Sequence, residues 1–315
     1  ETTFHDEIRG NITISNSEID DQVLMKADGF PTYHLAVVVD DHLMGVTHII
    51  RGEEWISSVP KHVILYKAFG FPMPLFAHLP LILNADKSKL SKRQGDVAVE
   101  DYLAKGYLPE ALVNFVALLG FNPTGDREIY TVQELIDAFD LSRVNKSGAV
   151  FDRTKLDWMN GQYIRSVDSS RLFELAKPFW GTASGLEDTQ KEKILAVEKE
   201  RLTTLGELAQ RAQMYLELPD YTVETLVWKK ADATDALTHL KNLETLMDSI
   251  DLSSRELIEG AIKKYIEENG YQNGNVLWPL RVALSGQRQS VGPFDLLWAL
   301  GKKEGLARLV IALKK

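Results

Sequence analysis

The spacing of apolar residues changes about a third of the way along the chain. In the first ~95 residues, short apolar runs alternate with turn signals, which predicts a mixed α/β segment. Glu7 to Ile14 and Gln22 to Lys26 read as strands, the second ending in the turn pair Asp28-Gly29. Tyr33 to Leu43 fits a short helix or a strand, because Ala36-Val37-Val38-Val39 has no decisive period. Val46 to Ile50 reads as a buried strand. Pro60 to Phe69 reads as a helix, with Ser57 or Ser58 as cap and Pro60 in the first turn. Leu79 to Leu83 is a further short apolar run, and Asn84 to Arg93 is a polar, basic surface loop.

From about Val97 the 3–4 spacing of helices takes over. Pro109 to Leu119 opens on proline and stops before Gly120. Thr131-Val-Gln-Glu134 and Ser253-Ser-Arg-Glu256 are capping boxes, each ahead of an apolar stripe. Segments near 168–180, 188–216, 232–250, 253–268, 275–285 and 293–314 all fit helices, and no alternating strand follows residue 165. The fold class expected is an α/β N-terminal part followed by a mostly α-helical region.

Composition narrows the function. The 315 residues, 44% of them apolar, suffice for a substantial core and about two domains. There is no cysteine, which removes disulfide frameworks, thiolate zinc sites, iron–sulfur clusters and cysteine nucleophiles. No apolar stretch approaches the ~20 residues needed to span a bilayer. The net charge of −9 speaks against a uniformly basic nucleic-acid binder but not against local basic surfaces. From Arg281 to Lys315 seven basic residues face two acidic ones, a local net of +5. That stretch could steer a polyanion or be an ordinary solvated helix face.

Two clusters carry candidate chemistry. Lys87-Ser-Lys-Leu-Ser-Lys-Arg93 places four cations and two hydroxyls in seven residues. Mobile ammonium groups of this kind can follow charge developing on a leaving pyrophosphate. On composition alone, a plain basic surface loop is the simpler reading. In the second cluster Tyr33, Arg51 and Glu54 could line a polar pocket beside Trp55, with Arg51 suited to clamping a carboxylate and Glu54 to accepting from a ribose hydroxyl. A strand end with a surface ion pair is the plainer reading. His34, His42, His48, His62 and His78 form no HExxH pair, and there is no Walker A loop, GxGxxG fingerprint or GxSxG elbow.

These residues carry a resemblance. "DGFPTYHLAVVVDDHLMGVTHIIRGEEW" and "KLSKRQGDVAVEDYLAKGYLPEALVNFVALLGF" resemble bacterial glutamyl-tRNA synthetases, with KLSKR similar to the KMSKS loop of class I aminoacyl-tRNA synthetases. The similarity runs on through "VFDRTKLDWMNGQYIR", "WPLRVALSG" and "GPFDLLWALGKK", in the family's order. It implies a glutamate–tRNA ligase, in which glutamate and ATP form glutamyl-adenylate and the glutamyl group passes to tRNA(Glu). It implies glutamate contacts from Tyr33 and Arg51. ATP contacts are implied for Glu54, the backbone near Ile82, and Lys89, Ser91, Lys92 and Arg93, with Lys89 and Lys92 stabilising phosphates during catalysis. Mg2+ is expected with ATP, and the absence of cysteine excludes the zinc-binding insertion of some members. Arg281 and the loop from Ser285, including Ser290 and Pro293, match positions at the anticodon. Arg201 falls where an arginine in some members favours C as the third anticodon base; otherwise it is a helix-surface arginine in an ion pair.

The resemblance further implies three regions: a partial class I catalytic domain over 1–95, a helical stem-contact region over 96–165 and a helical anticodon-binding domain over 166–315. The HIGH motif and the first half of the nucleotide-binding fold have no counterpart, and Glu1 is no initiator methionine. The expectation is therefore a C-terminal fragment of a cytoplasmic, monomeric ligase, catalytically incomplete alone. The alternative is a tRNA-binding module without independent catalysis.

Overall fold

The computed structural model describes residues 1–90, 98–123 and 125–315. They form two compact units: Glu1–Leu103 with Leu108–Asn160, and Ala104–Tyr107 with Gly161–Lys315. The elements run β1 (Thr2–Asp6), β2 (Gly10–Ile14), α1 (Tyr33–Leu43), β3 (His48–Gly52), α2 (Val59–Phe69), β4 (Leu75–Leu79), β5 (Ile82–Leu83), α3 (Val99–Ala104), α4 (Pro109–Gly120), α5 (Val132–Ala138), β6 (Ala149–Val150) and α6 (Arg153–Ser166). They continue with α7 (Ser169–Ala176), α8 (Asp188–Glu198), α9 (Leu208–Leu216), α10 (Ala233–Leu246), α11 (Arg255–Glu268), α12 (Asn273–Ser285) and α13 (Pro293–Ala312).

In the first unit a four-stranded sheet has the order β2-β1-β4-β3. β3 and β4 are parallel, in register from His48↔Leu75 to Gly52↔Leu79, with α2 as the crossover between them. Val59 and Val63 of α2 pack on Phe4 and Phe76 of the sheet. Parallel strands direct their following loops to one edge, where ligands of such sheets bind. Arg51 and Gly52 end β3, Glu53 to Trp55 follow it, and Pro80 to Leu83 follow β4 at that edge. β5 pairs in parallel with β6, Ile82 opposite Ala149.

Several predicted elements move. Glu7–Ile14 is not one strand: β1 and β2 form an antiparallel hairpin, and Glu7 to Arg9 make its turn. The buried Asp6 carboxylate makes that turn by accepting from the backbone N–H groups of Ile8 and Arg9 at 3.1 and 2.9 Å. Gln22–Lys26 is no strand but one side of a turn with a single Met25↔Pro31 bridge, closed by Gly29 at φ 83°. Tyr33–Leu43 is a helix, its apolar run burying only Val38 fully. The strand expected at Val46–Ile50 starts at His48 instead and is half-exposed, because it lies at the sheet edge. α2 and α4 begin and end close to where their proline and glycine signals put them. The Thr131–Glu134 capping box forms. The second box does not: Ser254 caps α11, accepting from Leu257 N–H at 3.3 Å.

The second unit is helical. The stretch 188–216 is broken at 199–207, because Glu207 reaches back to the N–H groups of Thr203 and Thr204 at 3.1 and 3.2 Å and starts α9 afresh. The residues before α9 also approach the 104–107 segment through two glycines, with Leu205 N–H on Gly106 O at 3.0 Å and Gly206 N–H on Lys105 O at 3.2 Å. A Cβ on Gly206 would stand 2.5 Å from Lys105 O. Gly206→Ala is therefore expected to lower the unfolding free energy by about 2 kcal/mol in a urea melt. Gly260→Ala, which meets open space inside α11, should instead stabilise by about 0.5–1 kcal/mol. Equal effects at the two positions would refute the packing argument.

Candidate functional site

Arg51 closes β3, and Tyr33 opens α1. The Arg51 Nη2 donates to the Tyr33 hydroxyl at 2.5 Å, and its guanidinium lies 3.8 Å from the Trp55 ring centre. The Tyr33 and Trp55 rings are 5.4 Å apart. The Trp55 face and the Tyr33 hydroxyl thus hold the guanidinium beside the half-exposed Tyr33 ring, and the remaining N–H donors of Arg51 are available to an anion. Glu54 points to the cation-rich loop, where Lys89 Nζ donates to its Oε1 at 3.1 Å. A hydrogen bond from its own backbone N–H lowers the Glu54 pKa, and Lys89 lowers it further, against the opposing effect of partial burial.

The base of the loop is ordered by the chain itself. Leu90 N–H donates to Ile82 O at 3.0 Å and Asn84 N–H to Ser88 O at 2.8 Å. The Asp86 carboxylate takes Ser88 N–H and Oγ at 2.9 and 2.6 Å. Lys87 stands in the left-handed region at φ 66°. Ser91, Lys92 and Arg93 lie outside the described residues. Ile82 also lines an apolar cavity of about 240 Å3 with Ile50, Leu79, Val116 and Phe121. Tyr33, Arg51, Glu54 and Lys89 are thus joined through the consecutive residues 51–55, with Ile82 tied to Leu90 by its backbone.

Two supporting groups had no signal in the sequence because their partners are far apart in it. Arg9 donates to Glu53 Oε2 at 2.5 Å and to His78 O at 3.2 Å, while Glu53 Oε1 accepts Leu81 N–H at 3.2 Å. That bracket holds the Pro80–Leu83 segment against the end of β3. Behind Tyr33, His34 and the buried His62 share a hydrogen bond of 2.9 Å between Nδ1 and Nε2. Burial, helped by His34, Arg51 and Lys61, pushes the His62 pKa down to about 4. Burial and the same two cations lower His34. The pair is therefore neutral at pH 7, one ring donating to the other.

In the second unit Arg201 ends a short 3-10 helix (Lys199–Arg201) beyond α8, in an i,i+3 ion pair with Glu198 at 3.7 Å. It lies in the break after α8, lining a polar cavity of about 260 Å3 with Glu198, Glu207, Arg211, Gln287 and Ser290. Arg281 and Pro293 line another, of about 260 Å3, with Trp228, Trp278 and Gly274. The four residues singled out there fall into two sites, and Glu198, Arg211, Trp228 and Trp278 were not foreseen. The basic C-terminal stretch is smaller than its count. Arg308 is buried, and Lys302 and Lys315 are paired with Asp248 and Asp220. Among the described residues no group of three or more His, Asp or Glu could hold a metal ion, and no helix is long and apolar enough to cross a membrane.

Residues 1–158 match the family model "tRNA synthetases class I (E and Q), catalytic domain", and residues 171–313 match "Anticodon binding domain". A glutamate–tRNA ligase of Clostridium botulinum strain Hall is 42% identical over 317 aligned residues, covering 100% of this chain and 65% of its own length. One from Clostridium tetani is 43% identical over 318 residues, with the same coverage. Among solved structures, a glutamate tRNA ligase from Elizabethkingia meningosepticum, in complex with its amino acid, aligns with a TM-score of 0.86 at 34% identity, over 100% of this chain and 66% of that one. The chain thus spans about two thirds of the length of these relatives, at 65–66%. A catalytic-domain match over half the chain, an anticodon-domain match over most of the rest and a solved relative that superposes along all of it lead to one conclusion: this chain belongs to the class I tRNA synthetases of the glutamate and glutamine type.

Proposed function

We propose that the chain is the carboxylate-, phosphate- and tRNA-handling part of a glutamate–tRNA ligase, which joins glutamate to tRNA(Glu) through glutamyl-adenylate at the expense of ATP. The observation that carries this is the Tyr33–Arg51–Trp55 cluster with Lys89 on Glu54 beside it, at the strand-end edge of a chain of this family. Arg51 takes a carboxylate of glutamate, and Tyr33 fixes the guanidinium. Glu54 accepts from the ribose, the backbone near Ile82 borders the nucleotide, and Lys89 passes from Glu54 to the phosphates of magnesium-bound ATP. Lys92, with Ser91 and Arg93, completes that clamp. Catalysis of this kind is positioning plus charge stabilisation.

In this reading residues 1–95 belong to the catalytic domain, 96–165 contact the stem and 166–315 read the anticodon, with Arg201, Arg281, Ser290 and Pro293 at the bases. The enzyme works in the cytoplasm as a monomer, and this chain by itself does not form adenylate. A second reading is a tRNA-binding module without catalysis, favoured by the anticodon-domain match over residues 171–313.

Titration calorimetry separates them. Both readings expect tRNA(Glu) binding that weakens with salt. The ligase reading expects glutamate heat that vanishes in Arg51→Ala; the module reading expects none with glutamate or ATP. Neither expects tRNA-dependent ATP–pyrophosphate exchange by the 315-residue chain, and its detection would overturn catalytic incompleteness.

A further inference from the structure

The polar cavity of the second unit holds a carboxylate with unused capacity. Glu198 ends α8 and is fully buried. Its Oε1 accepts from the Tyr215 hydroxyl at 2.8 Å, but its Oε2 accepts no hydrogen bond among the described residues. Arg201 and Arg211 each place an Nη1 3.7 Å from that Oε2. A buried carboxylate without such cations would be strongly destabilising. Burial leaves its pKa raised, although the Tyr215 hydroxyl, Arg201 and Arg211 pull it down.

The two guanidiniums differ in what they have left to give. Arg211 spends Nε and Nη2 on Glu207 Oε2 at 3.0 and 2.7 Å, and Nη2 also holds the Arg201 carbonyl at 3.0 Å. The Arg201 guanidinium pairs only with Glu198 among the described residues, and its side chain is 39% exposed. Arg211 therefore fixes the backbone of Arg201, and Glu198 stands behind its side chain. Gln287 and Ser290 supply further polar groups to the same wall.

We propose that Glu198 is the positioning residue that makes Arg201 a selective reader of a nucleobase edge, holding one side of the guanidinium so that its remaining donors enter the cavity in one orientation. This rests on the tRNA-reading proposal above. Parallel N–H donors suit adjacent acceptors. On the Watson–Crick edge cytosine offers them at O2 and N3, whereas guanine there presents N–H donors beside its O6, its adjacent acceptors O6 and N7 lying on the other edge. A guanidinium free to rotate would satisfy either base on one edge or the other; one oriented by the Glu198 charge toward the Watson–Crick edge favours cytosine.

The test uses the whole chain and two tRNA(Glu) transcripts that differ only in carrying C or G as the third anticodon base. Dissociation constants are measured by filter binding, with melting temperatures in parallel. The wild-type chain is expected to prefer C, and Arg201→Gln to abolish the preference. Glu198→Gln, which keeps the shape and removes the charge, should shrink it about tenfold, worth about 1.4 kcal/mol, with an unchanged salt slope. Glu198→Gln with Arg201→Gln should be no worse than Arg201→Gln alone, because the two act as one unit. Tyr215→Phe should shrink the preference in the same direction, and it decides the matter if Glu198→Gln does not fold. Equal weakening for both transcripts, or an unchanged ratio, overturns the positioning role while leaving Arg201 as reader. A wild-type chain without any preference overturns base reading itself, and this inference with it.

Discussion

Replacing Arg308 by methionine is expected to remove about 3–5 kcal/mol from the unfolding free energy of the helical unit. The side chain is 1% exposed. Its Nη1 donates to Met214 O and Leu284 O at 2.7 Å each, its Nη2 to Tyr215 O at 3.2 Å, and its Nε to Glu304 Oε1 at 2.7 Å. Met214, Tyr215 and Leu284 lie in the last turns of α9 and α12, where carbonyls have no helical partner and the helix dipole is negative. Buried ion pairs can often be exchanged for hydrocarbon at little cost. Here the acceptors are backbone and cannot be removed with the charge, so methionine strands three of them. Lysine should rescue little, since one ammonium cannot reproduce the planar fork. For a unit of this size the melting temperature should fall by about 10 °C. Fluorescence of Trp180, Trp228, Trp278 and Trp298 during guanidinium unfolding would report it, and a loss below about 1 kcal/mol would sink the account.

Acid should unfold the first unit partly through one imidazole. His62 has a pKa of about 4 when folded and an ordinary 6.5 when unfolded. Below pH 6.5 the unfolded chain takes up a proton that the folded chain refuses, so the stability present above that pH is lost as pH falls toward 4. The difference amounts to about 3 kcal/mol over that window. His62→Gln keeps a polar partner for His34 and removes the titration. The unfolding free energy of the wild type should therefore fall by about 3 kcal/mol more than that of His62→Gln between pH 7 and pH 4. Urea melts at a series of pH values would show this, and parallel profiles for the two proteins would exclude His62 as the cause.

What could be read in the sequence divides by distance along the chain. Arg51, Glu54 and Trp55 lie within five residues, and their chemistry survives any local folding of that stretch. Lys89 showed only as one of a dense run of cations, which by composition alone is an ordinary basic surface loop; the resemblance set it apart. α4 and α5 were readable from proline, glycine and capping signals that act within one turn. The hairpin at Glu7–Arg9 was not, since Asp6 makes the turn with its side chain and the apolar pattern runs through it. The break at 199–207 was hidden in the same way: Thr204 and Glu207 form a cap inside what reads as continuous helix. Glu198 stands in the charged run Glu198-Lys-Glu-Arg201, which has no local signal for burial. Only the packing of α9 beside α8 puts Tyr215 on its carboxylate and seals it from water. Arg308 misled for the complementary reason, counted with a basic surface while serving two helix ends inside the core.

Lys87 carries a consequence for the loop that follows it. Its φ of 66° is one that glycine adopts freely and a lysine does not, at a cost of about 1–2 kcal/mol. The conformation is thus imposed by the frame around it, the Asn84–Ser88 and Ile82–Leu90 backbone pairs and the Asp86 carboxylate, rather than by the preference of the residue. A glycine would relax the turn and leave a charge missing. The lysine makes the turn a loaded one, in which opening the frame releases energy that a relaxed turn would not hold.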